Sequence, residues 1–421
     1  MSRYLKISIL IGVVVGAAIA GLQASGIFGE IDTGLREFFR FRPEIAAIPN
    51  GIHYAFIFLL SFGIAWTTVD ISRPFLKVVV FAGVLLQLLS ILYVGGLYAF
   101  YLSPVGSGLA VICSFALGMV YAGTEAGARK RVLRSILGSR VSGKVFHGLV
   151  DSDHTLALEG EKGNGTVICC RFFNEFELLE HLNAEEYVEM INHWLEEVTR
   201  TLVDGGAYIE KCDHHGVRAM MGPPYTGDSH PLDASRLALQ LDQNLRNLNL
   251  DFDLKLHRGV DYRIGVESGE LVLGVFGSFC EGGLGYAGEA VEISERLTRI
   301  APQYGVRVLL GPDIYGMLKP EEMLTRPMDL VLLGRDRVEI YEPLGEPGNL
   351  EEGTWEKREQ YWQGVVLYRE KKWDAAKEIF QKLAKANEHD KAVQYYLRLI
   401  ERERHQGETV EKMDVRKAEV A

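Results

Sequence analysis

The sequence predicts an α+β domain carried on four transmembrane helices and followed by a short helical tail. Three observations carry that prediction: four charge-free apolar runs within 1–124, alternating strand-like and helix-like segments over 166–345, and a helix pair with fixed small-residue spacing within 352–405.

The runs at about 7–29, 52–69, 78–101 and 105–124 contain no Asp, Glu, Lys or Arg. Each has roughly 20 residues, which at about 1.5 Å per residue crosses a hydrocarbon core of about 30 Å. Soluble core helices rarely run so far without a charge. Arg3 and Lys6 precede the first run, Arg73 and Lys77 separate the second and third, and Arg129, Lys130, Arg131 and Arg134 follow the fourth. With four spans all three groups face one side, so both termini are expected in the cytoplasm of a bacterial inner-membrane protein. Arg36, Arg40 and Arg42 break that rule in the first external loop. The first run is too long for a secretory signal ending near Ala24, so an uncleaved anchor is expected.

A net charge of −11, with its one dense basic cluster beside the fourth run, excludes an obvious nucleic-acid surface and fits contact with a lipid membrane. Cysteines at 113, 169, 170, 212 and 280 suggest no disulfide framework. Four of them fall in the part expected in the cytoplasm, where thiols stay reduced.

Residues 125–165 read as a basic amphipathic transducing helix, with Val132, Leu133, Ile136 and Leu137 on one face, and then a polar linker to Gly165. From Thr166, TVICCRFF reads as a strand. Tyr187, Met190, Ile191, Trp194, Val198 and Leu202 mark a helix, and YIEKCDHHGVRAMMG a hairpin. A second helix over 233–248, a second hairpin in YRIGVESGELVLGVFGS and a third helix in EAVEISERLTRIA follow. Strands interrupted by covering helices imply an α+β sandwich. In the tail, Gly364, Ala376 and Phe380 keep tetratricopeptide spacing. One such pair cannot bury its apolar face alone and needs the preceding domain, a second copy or a protein partner. The charged segment 406–421 reads as disordered.

Four ordered segments carry a resemblance: LLEHLNAEEYVEMINHWL, GGAYIEKCDHHGVRAMMGPP, IGVESGELVLGVFGS and GEAVEISERLT. Together they resemble the landmarks of class III adenylate/guanylate cyclase domains, over about 166–318, which implies a ferredoxin-like catalytic-domain fold. LREFFRFRP at 35–43 is similar to the start of the CHASE-type sensor of bacterial membrane cyclases, and here the second span follows it almost at once. The chain thus looks like such a cyclase with its sensor missing.

The resemblance implies a reaction in which two aspartates hold two metal ions while the 3′-hydroxyl of a nucleoside triphosphate attacks the α-phosphate. Aligned without gaps, those positions carry Arg171 and His215. A guanidinium cannot ligate a cation, and imidazole is a poor ligand for hard Mg²⁺. Glu175 and Asp213 lie off the aligned positions, and nothing in the spacing supports a slip. The resemblance places Lys211 at the adenine-reading position and Arg296 at the arginine that stabilises charge on the α-phosphate. The second purine contact falls on Gly285, which lacks a side chain, and the ribose-orienting position on Glu292, an anion. Cys169, Cys170, Cys212, His214 and His215 could form a soft-metal site, but without CxxC spacing the cysteines read as apolar filler. No metal cofactor is therefore expected; Mg²⁺ or Mn²⁺ enters only if a partner or unorthodox ligands restore the site.

Three functions fit: a dimerising regulatory or purine-contact half, inactive alone and paired with itself or with a metal-competent cyclase domain; an active adenylate cyclase using His215 with Mn²⁺; and an adaptor acting through its C-terminal helices.

Overall fold

A computed structural model describes residues 3–38, 46–47, 49–71, 73–98, 100–151, 160–277, 282–333 and 336–403. Arg40, Arg42, Cys280 and the segment 406–421 lie outside the described residues. The chain divides into two compact units, Met1–Ile136 and Leu137–Ala421.

The first unit contains α1 (Arg3–Ala24), α2 (Gly29–Phe38), α3 (Asn50–Asp70), α4 (Pro74–Leu97) and α5 (Pro104–Gly123), and its residues include most of α6 (Glu125–Leu137). Four helices are long and apolar enough to cross a membrane, over Tyr4–Ala24, Asn50–Asp70, Pro74–Gly95 and Pro104–Gly123. The first ends at Ala24, before the predicted 29, and Gly26 follows with φ +79°. The third starts and ends about four residues before its predicted bounds, because Pro74 at the first helical turn is a favourable start.

Small residues let these helices meet. A Cβ on Gly12 would lie 2.8 Å from the Phe62 backbone, and one on Gly16 2.5 Å from the Phe58 ring. Phe81 and Phe115 stack at 4.2 Å between α4 and α5. Leu10, Val14, Leu59, Leu86, Leu89 and Val120 face outward, as apolar positions in contact with lipid would. Lys130 pairs with Asp70 at 2.7 Å and its amide donates to the Tyr4 hydroxyl, so residues 4, 70 and 130 share one end of the bundle. Tyr101 and Ser103 donate to Asp32 at 3.1 and 3.0 Å, and Arg36 covers the Tyr101 ring. A two-residue parallel bridge joins β1 (Ala46–Ala47) to β2 (Phe100–Tyr101).

The second unit is an α+β sandwich. In place of one amphipathic helix over 125–150 there are two, α6 and α7 (Gly143–Asp151), separated after Gly138 at φ +53°. The order then runs β3 (Glu161–Phe172), α8 (Glu175–His181), α9 (Ala184–Asp204), β4 (Tyr208–Asp213), β5 (Gly216–Met221), α10 (His230–Leu256) and β6 (Tyr262–Gly277). It continues with β7 (Gly282–Ala287), α11 (Glu289–Tyr304), β8 (Val308–Leu310), α12 (Pro312–Met317), β9 (Leu324–Leu333) and β10 (Asp336–Gly345). One sheet has the order β4-β5-β3-β6-β8-β10-β9, with β7 added to β6. Its β4-β5-β3-β6 part, with α9 and α10 as crossovers, has the ferredoxin-like arrangement.

Two readings change here. β3 starts at Glu161, inside the predicted linker, because its polar first residues pair with the far half of β6. The predicted second hairpin is one 16-residue strand, β6, whose return strand is β7.

The central strand β3 is buried from Gly165 to Cys170. Ile168, Cys170 and Phe172 pack with Trp194, Val198 and Leu202 of α9 and Leu237, Leu241 and Leu245 of α10. The opposite layer joins Leu297, Ala301 and Tyr304 of α11 to Met328 and Ile340. The tail completes that layer with α13 (Thr354–Arg369), α14 (Trp373–Ala386) and a further helix over 391–403. Tyr361, Val365, Ala376, Phe380 and Tyr396 enter the same core. A Cβ on Gly364 would lie 2.8 Å from the Phe380 ring, which is why the spacing needs glycine there. The helix pair covers its own chain's sheet. α9 opens with a capping box in which Asn183 and Glu186 exchange hydrogen bonds of 2.9 and 3.0 Å.

Glu267 of β6 is fully buried. Its Oε1 accepts from the amides of Ser268 and Ile314, while Oε2 has no hydrogen-bond partner among the described residues. Burial, the largest influence, raises its pKa from 4.5 to about 7. The folded pKa exceeds the unfolded one, so stability is full below about pH 4.5 and falls as pH rises through about 7. Glu267→Gln should therefore leave the melting midpoint nearly unchanged at pH 4.5. At pH 8 it should stabilise by on the order of 3 kcal/mol, read by melting the full chain in detergent across that range.

Candidate functional site

The site forms where the C-terminal end of β3 meets the β4–β5 hairpin. In the antiparallel register Arg171 faces Gly216 and Cys170 faces Val217. The hairpin turns through only His214 and His215. Gly216 makes this possible: at φ +155° it brings the turn so close to β3 that a Cβ would lie 2.2 Å from the Cys170 carbonyl oxygen.

Arg171, Lys211, Asp213, His215, Arg218 and Glu295 line one pocket of about 100 Å³. Lys211 is exposed and pairs with Asp213 at 2.8 Å. Asp213 also accepts from the His215 amide at 2.9 Å. Burial pushes the Asp213 pKa upward, but the Lys211 and His215 hydrogen bonds outweigh it and hold the carboxyl below its usual range. Arg218 bridges Glu210 and Glu295, the latter at 2.6 Å. Arg171 has no ion-pair partner within 4 Å among the described residues. Among the described residues the pocket thus holds internally paired charges and one guanidinium, that of Arg171, outside any ion pair.

The sequence-predicted substrate positions fall in three places. Lys211 lies in the pocket with Arg171 and His215. Arg296 does not line it; on α11 it pairs with Glu292 one turn away. The arginine assigned by resemblance to the α-phosphate is therefore held by the anion at the ribose position. Gly285 sits on β7, and a Cβ there would lie 3.2 Å from Glu210 Oε1. Held by Arg218, that carboxylate fills the space in front of the position that the resemblance assigns to a purine contact.

Among the described residues, Cys169, Cys170 and Cys212 do not form a cluster with the histidines. Cys169 and Cys170 are buried on opposite faces of β3, and burial pushes the Cys169 thiol up to about 12 and Cys170 well above its ordinary value. Cys212 faces a separate pocket beside Arg140 and Thr199. What does meet the histidines is Glu175, the first residue of α8, whose Oε2 lies 3.6 Å from His215 Nδ1. Sequence reasoning treated Glu175 and His215 separately, and the His-His pair in a two-residue turn was the available signal.

No known family model matches the sequence, and no curated protein matches it. Solved structures similar to this chain include the guanylyl cyclase Cya2, at 22% identity and TM-score 0.41, covering 46% of this chain and 98% of that one. The adenylyl cyclase CyaB from P. aeruginosa gives 20% identity and TM-score 0.42 over 46% of this chain and 100% of that one. A bacterial light-regulated adenylyl cyclase gives 17% and 0.43 over 56% of this chain and 64% of that one.

The charge network gives a direct test. Glu210→Ala strands a mostly buried Arg218 with one partner and should cost about 3 kcal/mol. Adding Arg218→Met should recover part of that loss, seen as a rise in melting midpoint over the single variant. Over about half its length, this chain is similar to solved structures of adenylyl and guanylyl cyclases.

Proposed function

We propose that this chain is a membrane-anchored cyclase-homology protein of cyclic-nucleotide signalling, inactive alone, that acts as a dimerising regulatory or purine-contact half. One observation carries the reading: where the resemblance requires two metal-binding carboxylates, Arg171 and His215 face a common pocket. A fixed positive charge there opposes the two divalent ions the reaction needs. The occluded Gly285 supports it further, since it removes a substrate contact without disturbing the fold, while Glu292–Arg296 is a surface ion pair that a substrate held by a partner can open.

Lys211 is the substrate-side group best placed to serve, because its partner Asp213 is a surface ion pair that a nucleotide base can displace. A metal-competent cyclase domain is the natural partner, a second copy the alternative, and Mg²⁺ or Mn²⁺ would come with that partner. The basic residues at the bundle end shared by Tyr4, Asp70 and Lys130 support placing that end, and both termini, on the cytoplasmic side. Arg140, just after α6, supports a transducing role for the linker: its carbonyl accepts from Ile209 and its guanidinium donates to the Glu210 carbonyl, both on the strand that carries Lys211. The tetratricopeptide-like helices use their main apolar face within their own chain, which favours a buttressing role over an adaptor.

Purified full chain with ATP or GTP and Mg²⁺ or Mn²⁺ should give no cyclic nucleotide. Product should appear on mixing with a cyclase domain that keeps its two aspartates but lacks its own lysine and arginine contacts, and Lys211→Ala should remove it. Mn²⁺-dependent product from the chain alone, abolished by Arg296→Ala, would establish the active-cyclase reading instead.

A further inference from the structure

We propose that Glu175, His214 and His215 form a binding site for a borderline transition-metal ion of the Zn²⁺ class, at the edge of the pocket, with which it shares His215, and different in ligands from a two-aspartate Mg²⁺ site. One ligand atom from each residue lies within 4.8 Å of the other two. The separation between Glu175 Oε2 and His215 Nδ1 is 3.6 Å. That is too long for a hydrogen bond, which ends near about 3.2 Å. It is close to the edge of a tetrahedron built on metal–ligand bonds of about 2.0–2.1 Å, which is about 3.3–3.4 Å.

The supports are in place. Glu175 is fixed at the start of α8, and Tyr187 donates to its Oε1 at 3.2 Å, leaving Oε2 turned toward the histidines. An outer hydrogen bond of this kind orients a ligating carboxylate. On the other side Asp213 accepts from the His215 amide and fixes the turn. The two imidazoles lie side by side in the turn, with ring centroids 3.9 Å apart and planes tilted by 43°. His214 is exposed, so a fourth position stays open to water.

Two nitrogens and one carboxylate suit Zn²⁺, Co²⁺ or Ni²⁺, whereas Mg²⁺ demands near-octahedral oxygen ligation. Asp213 is engaged by Lys211, and Cys169 and Cys170 are buried as thiols, so the set stays at three protein ligands. A bound ion would tie α8 to the β4–β5 turn across the mouth of the pocket. The site concerns binding and stands or falls independently of whether the chain makes cyclic nucleotide.

The test is a Co²⁺ titration of the full chain in detergent after chelator treatment, read by visible absorption and followed by Zn²⁺ displacement. One ion per chain with a tetrahedral-type spectrum is expected, displaced by Zn²⁺ and untouched by excess Mg²⁺. Glu175→Ala should weaken binding at least tenfold, Tyr187→Phe should weaken it about tenfold, and His214→Ala with His215→Ala should abolish it. Cys212→Ser should leave it intact, and circular dichroism should show each variant folded. A chain that gives no saturable signal overturns the proposal, as does a signal that survives loss of both histidines or disappears with Cys212.

Discussion

The register of β3 between β5 and β6 is the constraint on which the second unit depends. β3 is buried from Gly165 to Cys170, and its alternation sends Ile168, Cys170 and Phe172 into the layer of α9 and α10. A slip of one residue would exchange that set with its neighbours and put Arg171 into the core beside Trp194. The same register sets Arg171 opposite Gly216, so it also fixes where the His214–His215 turn lies. Core packing and pocket geometry are therefore determined by the same hydrogen bonds.

The site built on that register follows a consistent electrostatic pattern. Arg218 is taken up by Glu210 and Glu295, Lys211 by Asp213 and Arg296 by Glu292. Groups suited to a polyanion are paired within the chain, and Arg171 adds positive charge where the resemblance calls for negative. Such an arrangement keeps the fold's charges satisfied without a bound nucleotide.

Much of this was legible in the sequence because it rests on local pattern. Charge-free runs marked the spans, and helical spacing marked α9, α10 and α11. The errors arose where pairing partners are distant. Glu161–Gly165 read as linker because the residues are polar, yet their backbone is matched by β6 more than 100 positions away. YRIGVESGELVLGVFGS read as a hairpin, but β3 pairs continuously along β6 and holds it as one strand. What covers the tail helices was left open, and the answer depends on Met328 and Ile340 of other strands. At the site, Lys211, Arg171 and His215 were identified by position, whereas the Glu292–Arg296 pair, the Glu210 carboxylate before Gly285 and the approach of Glu175 to His215 needed three dimensions.

The central claim is that Arg171 and His215 leave the pocket unable to hold the hard cations of cyclase chemistry. Mn²⁺ binding to the full chain in detergent, measured by electron paramagnetic resonance with a non-hydrolysable nucleotide present, tests it most directly. The account predicts no micromolar Mn²⁺ site in the natural chain and the gain of one in the Arg171→Asp, His215→Asp variant. Micromolar Mn²⁺ binding by the natural chain would contradict it.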